Sequence, residues 1–211
     1  MPSISHLDLM QPEISAPFNR QGWVFELKYD GYRGLLLKQG EHVRLVSRAG
    51  NDFTANFPEL VVAAKVIPHD FAMDGEMVVA GEEGHPSFHR LRKRAVATLW
   101  RTIMKGAVEN PAFFMAFDLL TLGDADLRPL PLLERKAYLA DLMPEGQIRC
   151  VDHIETTGIA FFRAVDNLGL EGMLAKKADS PYVAGRSRYW QKVKTESGKE
   201  RERQRFVDER L

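Results

Sequence analysis

The stretch 32–48, "YRGLLLKQGEHVRLVSR", constrains the fold more than any other. Two apolar, strand-like runs flank Gly40-Glu41, and a two-residue centre of this kind sends the chain back antiparallel to itself as a hairpin. The run before it, "WVFELKY", alternates: Trp23, Phe25, Leu27 and Tyr29 face one way, Val24, Glu26 and Lys28 the other. "FAMDGEMVVAG" and "FFMAFDLLTLG" are further strand-like runs that end at glycine, and "LEGMLAKKA" and "RYWQKVK" read as strands near the C-terminus. Helical spacing marks "FPELVVAAKVI", which stops before Pro68, and also "PLLERKAYLADLM" and "GIAFFRAVDNLG". "SFHRLRKRAVATLWRTIMKG" reads as one helix with Ser87 as N-cap and Gly106 at its exit. Hairpin-linked strands with irregularly placed helices predict an α+β fold of mainly antiparallel sheets. The first twenty residues, with Pro2, Pro12 and Pro17, read as an irregular lead-in. The last seventeen, "TESGKERERQRFVDERL", read as a frayed tail or a solvated helix.

A chain of 211 residues suits one domain with its own core, and one with two lobes fits that length. Lys+Arg and Asp+Glu number 29 each, so only local clusters of charge can indicate a polyanionic partner. The single cysteine, Cys150, cannot form an internal disulfide, which suggests a reducing, cytoplasmic setting. The N-terminal residues lack a secretory pattern, and no apolar run is long enough to span a bilayer. There is neither a GxGxxG after a strand nor a GxxxxGK[ST], so a nucleotide would be held without a Rossmann or P-loop device.

Lys28 poses the chemical question. At an ordinary pKa of about 10.4 a lysine is protonated and is no nucleophile. Desolvation or neighbouring cations change that, and Lys192 and Lys194, two apart on one strand face, could supply the cations. Alone, each fragment has an ordinary explanation: a surface lysine, an Asp-Gly turn, a solvated edge strand. Together they form a series. Lys28-x-Asp30-Gly31-x-Arg33 is followed by Ser47-Arg48 with "GNDFTANFPEL", then by Asp74-Gly75-Glu76 and Phe117-Asp118-Leu119-Leu120. Glu171-Gly172 with Lys176 comes next, and Trp190-x-Lys192-x-Lys194 last. In order and spacing this series resembles the ATP-dependent DNA ligases, a family of covalent nucleotidyltransferases. Its wording is most similar to the ligase domain of bacterial non-homologous end joining. The resemblance runs from about Pro17 to Lys194.

The resemblance implies a two-lobed adenylation fold over residues 1–194, with an ATP pocket between mainly antiparallel sheets, followed by a charged tail at 195–211. Lys28 would attack the α-phosphorus of ATP to give lysyl-AMP. Glu26 would contact adenine, with Leu27 beside it in the nucleotide-binding set. Phe117 would stack on the base, although a core phenylalanine explains it equally well. Arg48 and Glu76 would hold the ribose, and Arg33 would lie near sugar and phosphate. Glu171, with Glu76, would carry Mg²⁺ (or Mn²⁺), an ion suited to hard carboxylate oxygens. Lys192 and Lys194 would neutralise charge on the α-phosphate. Asp74 and Asp118 are read as structural supports, and Lys176 has no assigned contact.

The implied partner is nicked or broken DNA with a 5′-phosphate, sealed by a 3′-hydroxyl, and the chain is expected to be a monomer with no membrane association and an end-joining protein as a candidate partner. The seventeen residues after Lys194 are too few for the OB-fold that follows in such ligases. The expectation is therefore a complete nucleotide pocket without the DNA clamp. Alternatives are a nucleotide-binding accessory module or an RNA ligase. His89, Arg90, Arg92, Lys93, Arg94, Arg101 and Lys105 on one helix read as a solvated face, with a phosphate-backbone contact as the second reading.

Overall fold

The computed structural model describes residues 4–81, 84–143 and 146–208, with side chains as far as residue 204. A 3₁₀ turn (His6–Asp8) precedes β1 (Met10–Ile14), β2 (Trp23–Leu27), β3 (Tyr32–Gln39) and β4 (His42–Ser47). Then come α1 (Pro58–Lys65), β5 (Phe71–Val79), α2 (Phe88–Ala95), α3 (Trp100–Glu109), β6 (Ala112–Leu122) and β7 (Ala125–Asp126). The chain continues through α4 (Leu132–Leu142), β8 (Ile148–Cys150), β9 (His153–Glu155), α5 (Gly158–Asn167), β10 (Gly172–Lys177), β11 (Gly185–Lys194) and α6 (Glu196–Asp208).

Among the described residues the strands form two sheets. One has the order β1-β11-β10-β2-β9, and the other runs β4-β3-β5-β6-β7 with β8 added beside β6. Pairing is antiparallel except at β1·β11 and β6·β8. The expected α+β, antiparallel-dominated architecture is thus present. The hairpin at Gly40-Glu41 joins β3 to β4, and Gly40 takes a left-handed φ of 55° that glycine tolerates without strain.

The outer face of the second sheet packs under α1, α2 and α4 through Leu36, Leu45, Phe57, Phe71, Met73 and Phe114. The outer face of the first sheet holds Phe25, Met173 and Val193 against Phe161 and Phe162 of α5. Between the sheets lie Leu35, Ala72, Leu120, Met10 and Trp190. Each such large apolar side chain contributes roughly 1.5–3 kcal/mol when fully removed from water. Tyr182 stitches the two lobes. Its hydroxyl accepts from the Met10 amide at 2.9 Å and donates to Asp74 Oδ2 at 2.7 Å.

Three expectations change. The lead-in is not wholly irregular, because Met10–Ile14 forms a strand parallel to β11. The basic stretch is two helices rather than one. Asn56 Nδ2 donates to the carbonyls of Ala95 and Ala97, which takes the acceptors a continuing helix would need. Arg94, buried, donates to Glu59, to Asn56 O and to the carbonyls of Gly106 and Asn110, and so ties the two helices together. Gly106 lies inside α3 instead of at its exit. A Cβ there would come within 2.5 Å of Arg94 Cδ, so the glycine makes room for that side chain. Ser87 does cap α2, accepting from the Arg90 amide. Finally, the tail takes the helical of its two expected forms over 196–208, but it is not simply solvated, since Glu202 pairs with Lys194 and Gly198 packs against Glu171. Among the described residues no helix is long and apolar enough to cross a membrane.

Candidate active site

A cavity of about 570 Å³ opens between the two sheets, a size that accommodates a drug- or nucleotide-sized ligand. The first sheet supplies Leu27, Lys28, Leu174, Trp190, Lys192 and Lys194 to its wall. The second supplies Arg33, Arg48, Glu76 and Phe117, and Glu171 closes one end. Residues 166 positions apart in sequence therefore face one space, because the end of β2, the start of β10 and alternate positions of β11 lie side by side at one end of the first sheet's central strands.

Lys28 stands where β2 ends. Its amide donates to Gly172 O at 2.9 Å, and its Nζ lies 2.7 Å from Glu171 Oε1. Two glycines set this corner. A Cβ on Gly172 would fall 2.2 Å from Val193 O, and one on Gly31 would fall 2.0 Å from Met77 O. Gly31 is thus required by close packing against β5. The Asp-Gly pair is not a left-handed turn.

Lys192 and Lys194 line the cavity beside Lys28, as their spacing predicts. Burial pulls the Lys192 ammonium below its ordinary lysine value, with Lys194, Lys28 and Arg48 adding to the shift against a smaller opposing pull from Glu202. Lys194 is paired with Glu202, which α6 carries to the mouth of the cavity. The salt link to Lys194 holds the Glu202 carboxyl below its usual value, and Lys192 and Lys28 add to that. A carboxylate therefore already sits on the cations where an anionic ligand group would sit. The start of α6 is fixed hard against the site, since a Cβ on Gly198 would lie 2.0 Å from Glu171 O.

Glu76 is pushed up to about 7. Burial is the main cause, Glu171 and Asp74 add to it, and Lys28 and Arg33 oppose it. Glu171 is buried, and its Oε2 has no hydrogen-bond partner. Among the described residues no three His, Cys, Asp or Glu side chains converge as metal ligands. A cation here would rest on one or two carboxylates and on ligand phosphates, the pattern that suits Mg²⁺. An orphaned carboxylate oxygen beside Glu76 fits that role.

Phe117 presents its ring to the cavity, edge-on to Trp190 at 5.8 Å. Lys176, for which the sequence offered no contact, places Nζ 4.4 Å from the Phe117 ring centre and 4.2 Å from that of Trp190. Arg33 reaches the cavity wall but is held there by a bidentate pair with Asp74, at 3.1 and 2.7 Å. Asp118 makes the same arrangement with Arg135, at 2.7 and 2.8 Å, both side chains fully buried. The supporting roles expected of Asp74 and Asp118 agree with these pairs. Arg48 is exposed at the rim, its amide bonded to Arg33 O.

Glu26 departs from expectation. The alternation that put it on one face with Lys28 ends with the strand at Leu27, so Leu27 and Lys28 both line the cavity while Glu26 does not. Its carboxylate is buried between Lys136 Nζ at 2.7 Å and Lys176 Nζ at 2.6 Å. Burial disfavours its charge, but the two lysines outweigh that and keep its pKa below the ordinary value. Lys136 escaped the sequence reading because it sits in an amphipathic helix where a lysine reads as solvated. Trp190 and Leu174 were within reach of it, since each shares a strand with a motif residue. Glu202, in an apparently featureless tail, was not.

Comparison with known proteins gives consistent matches. A sequence model described as "ATP dependent DNA ligase domain" matches residues 9–194. The chain is 33% identical to an SPbeta prophage-derived DNA ligase-like protein of Bacillus subtilis, across 85% of this chain and 64% of that protein. It is 36% identical to DNA ligase C2 of Mycolicibacterium smegmatis, across 82% of this chain and 50% of that one. Among solved structures, a mycobacterial DNA ligase D complexed with ATP and MES superposes with a TM-score of 0.75 at 31% identity, over 89% of this chain and 60% of the other. The chain thus spans about half to two thirds of the length of these relatives.

Proposed function

The chain belongs to the ATP-dependent DNA ligase domain family, and from that premise we propose that it is an adenylation domain in which Lys28 is the nucleophile. The observation that carries this reading is the convergence of Lys28, Lys192 and Lys194 with Glu171 and Glu76 in one cavity between the sheets. Nζ of Lys28 forms a bond to the α-phosphorus of ATP, the bond from that phosphorus to the pyrophosphate oxygen breaks, and the lysine gives up its proton. Glu171, 2.7 Å away, is the nearest acceptor for that proton. Lys192 and Lys194 stabilise negative charge that builds on the phosphate as the bond breaks. Phe117 and Leu174 form apolar walls for the base, and Arg48 at the rim is in reach of ribose or phosphate. Glu171 and Glu76 would hold a Mg²⁺ or Mn²⁺ ion, which would supply charge neutralisation on the phosphates. Glu26 acts one layer back, fixing Lys176 under the Phe117 and Trp190 rings.

On this reading the AMP passes next to the 5′-phosphate of nicked or broken DNA, and a 3′-hydroxyl then expels it. Both are in-line displacements that rely on positioning. The adenylation domain spans 1–194, and the tail 195–211 follows, with its helix at 196–208 bordering the pocket. We place the reaction in the cytoplasm in DNA end joining, in a monomer that works with an end-joining partner; the relatedness to ligases C and D supports the end-joining context.

The test uses ATP labelled at the α-phosphate, with Mg²⁺ and without DNA. Label that survives denaturation, is specific for ATP over GTP and is lost in Lys28→Ala is the expected result. No label on the native protein refutes the assignment of Lys28. Added nicked duplex should then discharge the label, and label that stays on the protein would limit the activity to self-adenylation.

A further inference from the structure

The α2–α3 hairpin exposes more large apolar surface than any other part of the described chain. Val96, Leu99, Trp100, Met104 and Val108 all face solvent, Trp100 at 62% and Val108 at 80%. Three of them, Trp100, Met104 and Val108, follow at i, i+4 and i+8 and form one stripe along α3. Arg101 and Lys105 form the adjacent stripe, and Lys93 of α2 faces Lys105 across a shallow groove. Residues 88–109 hold six Lys or Arg side chains and one acid, Glu109, in a chain with no net charge. The hairpin is not a loose excursion, since Arg94 and Asn56 fix both helices to α1 and to each other. A rigid, unpartnered apolar stripe with a basic border is a binding surface.

Its position decides what it binds. Ala95 and Val96, at the end of α2 just before α3, line the cavity that holds Lys28, so a long ligand lying on the hairpin beside the start of α3 is brought next to that cavity. Arg48 and Lys192 also line this cavity, while Lys194 is paired with Glu202. We infer that the α2–α3 hairpin is a duplex-DNA docking face. In it Lys93, Arg101 and Lys105 meet backbone phosphates, and Trp100 and Met104 pack on sugars in the groove beside the strand break. The inference rests on the reading of the cavity as an adenylate pocket, because that reading requires a 5′-phosphate to come to this cavity. Nine helical residues from Trp100 to Val108 span about 12 Å, or three to four base-pair steps. That reach suits two or three phosphates. Basic side chains beside apolar wedges are also the combination that proteins use against a minor groove.

The whole 211-residue chain is tested in two forms besides the native one: a charge-reversal variant, Lys93→Glu with Arg101→Glu and Lys105→Glu, and Trp100→Ala. All four wild-type side chains are exposed, and thermal melts check that each variant folds. Binding of a nicked duplex is followed by electrophoretic mobility shift over a range of salt, and lysyl-AMP formation from ATP is measured without DNA. The expected result is that both variants form lysyl-AMP like the native protein. The charge-reversal variant binds the duplex at least about ten-fold more weakly, and its plot of log affinity against log salt is shallower by about 2–3. Trp100→Ala weakens binding with an unchanged slope. Native affinity and slope in both variants, or no duplex binding by the native chain, overturns the proposal. So does a Trp100→Ala variant that loses self-association or protein binding while its DNA affinity is intact, since the face is then a protein interface. If the native chain forms no lysyl-AMP, the adenylate reading fails, and the duplex measurements still decide the docking face.

Discussion

Replacing Glu202 with glutamine tests how the pocket is set up for its ligand. Glu202 sits on Lys194, and both line the cavity. For a phosphate to use Lys194, the carboxylate must first leave it. The lysine side chain is 15% exposed and the glutamate 48%, so this is a pair with one foot in water. Pairs of that kind contribute about 0.2–1 kcal/mol. Removing the carboxylate's charge releases that amount to an incoming phosphate, which corresponds to about 1.5- to 5-fold tighter binding. Titration calorimetry with a non-cleavable α,β-methylene analogue of ATP measures the affinity without turnover. Glu202→Gln should bind more tightly than the native protein, and Lys194→Ala more weakly. The advantage of Glu202→Gln should shrink in concentrated salt, because exposed pairs are screened over roughly 10 Å at 0.1 M and over less at higher salt. Equal or weaker binding by Glu202→Gln would show that the carboxylate does not occupy the phosphate's place.

Asp118→Asn removes the charge facing Arg135 where both side chains are fully buried. An uncompensated guanidinium there should cost about 3–5 kcal/mol and lower Tm by roughly 6–20 °C, and a calorimetric shift under 3 °C would contradict the pair's role. Gly31→Ala forces a Cβ to within 2.0 Å of Met77 O; a loss of about 1–3 kcal/mol in urea unfolding is expected, together with slower lysyl-AMP formation, since Lys28 is anchored at the same corner. Glu76, raised to about 7 by burial, binds its proton more tightly folded than unfolded. Its contribution is therefore complete at low pH and is lost as pH rises toward and through 7. In the ligand-free protein Tm should fall between pH 5 and 8, and Glu76→Gln should flatten that slope; an equally steep slope in the variant would rule Glu76 out as its source.

Where the physics was local, the sequence displayed it. The β3–β4 hairpin, β5, β6, α1 and α5 follow from alternation, helical spacing and turn residues in their own segments. Most of the cavity-lining set, from Lys28 to Lys194, was legible because its members keep a fixed order along the chain even though the fold brings them together from seven strands and their ends. What stayed hidden depends on partners far away. β1 is a strand only because β11, more than 170 residues later, offers it an edge. The break between α2 and α3 comes from Asn56 and Arg94, whose contacts no local pattern announces. Glu26 and Lys28 part company because β2 ends at Leu27, and the lysines that Glu26 meets, Lys136 and Lys176, lie more than a hundred residues further along the chain.

The three tryptophans occupy three distinct environments. Trp190 is buried at the wall of the cavity, its indole N–H without a hydrogen-bond partner and Lys176 over its ring. Trp100 stands in solvent on α3, and Trp23 is buried beside Phe18 against the far side of the first sheet. A water-soluble quencher such as iodide can reach only Trp100, while a base entering the cavity perturbs only Trp190. The unlabelled protein thus carries separate optical reporters for its two candidate ligands, with Trp23 as an internal reference for the integrity of the fold.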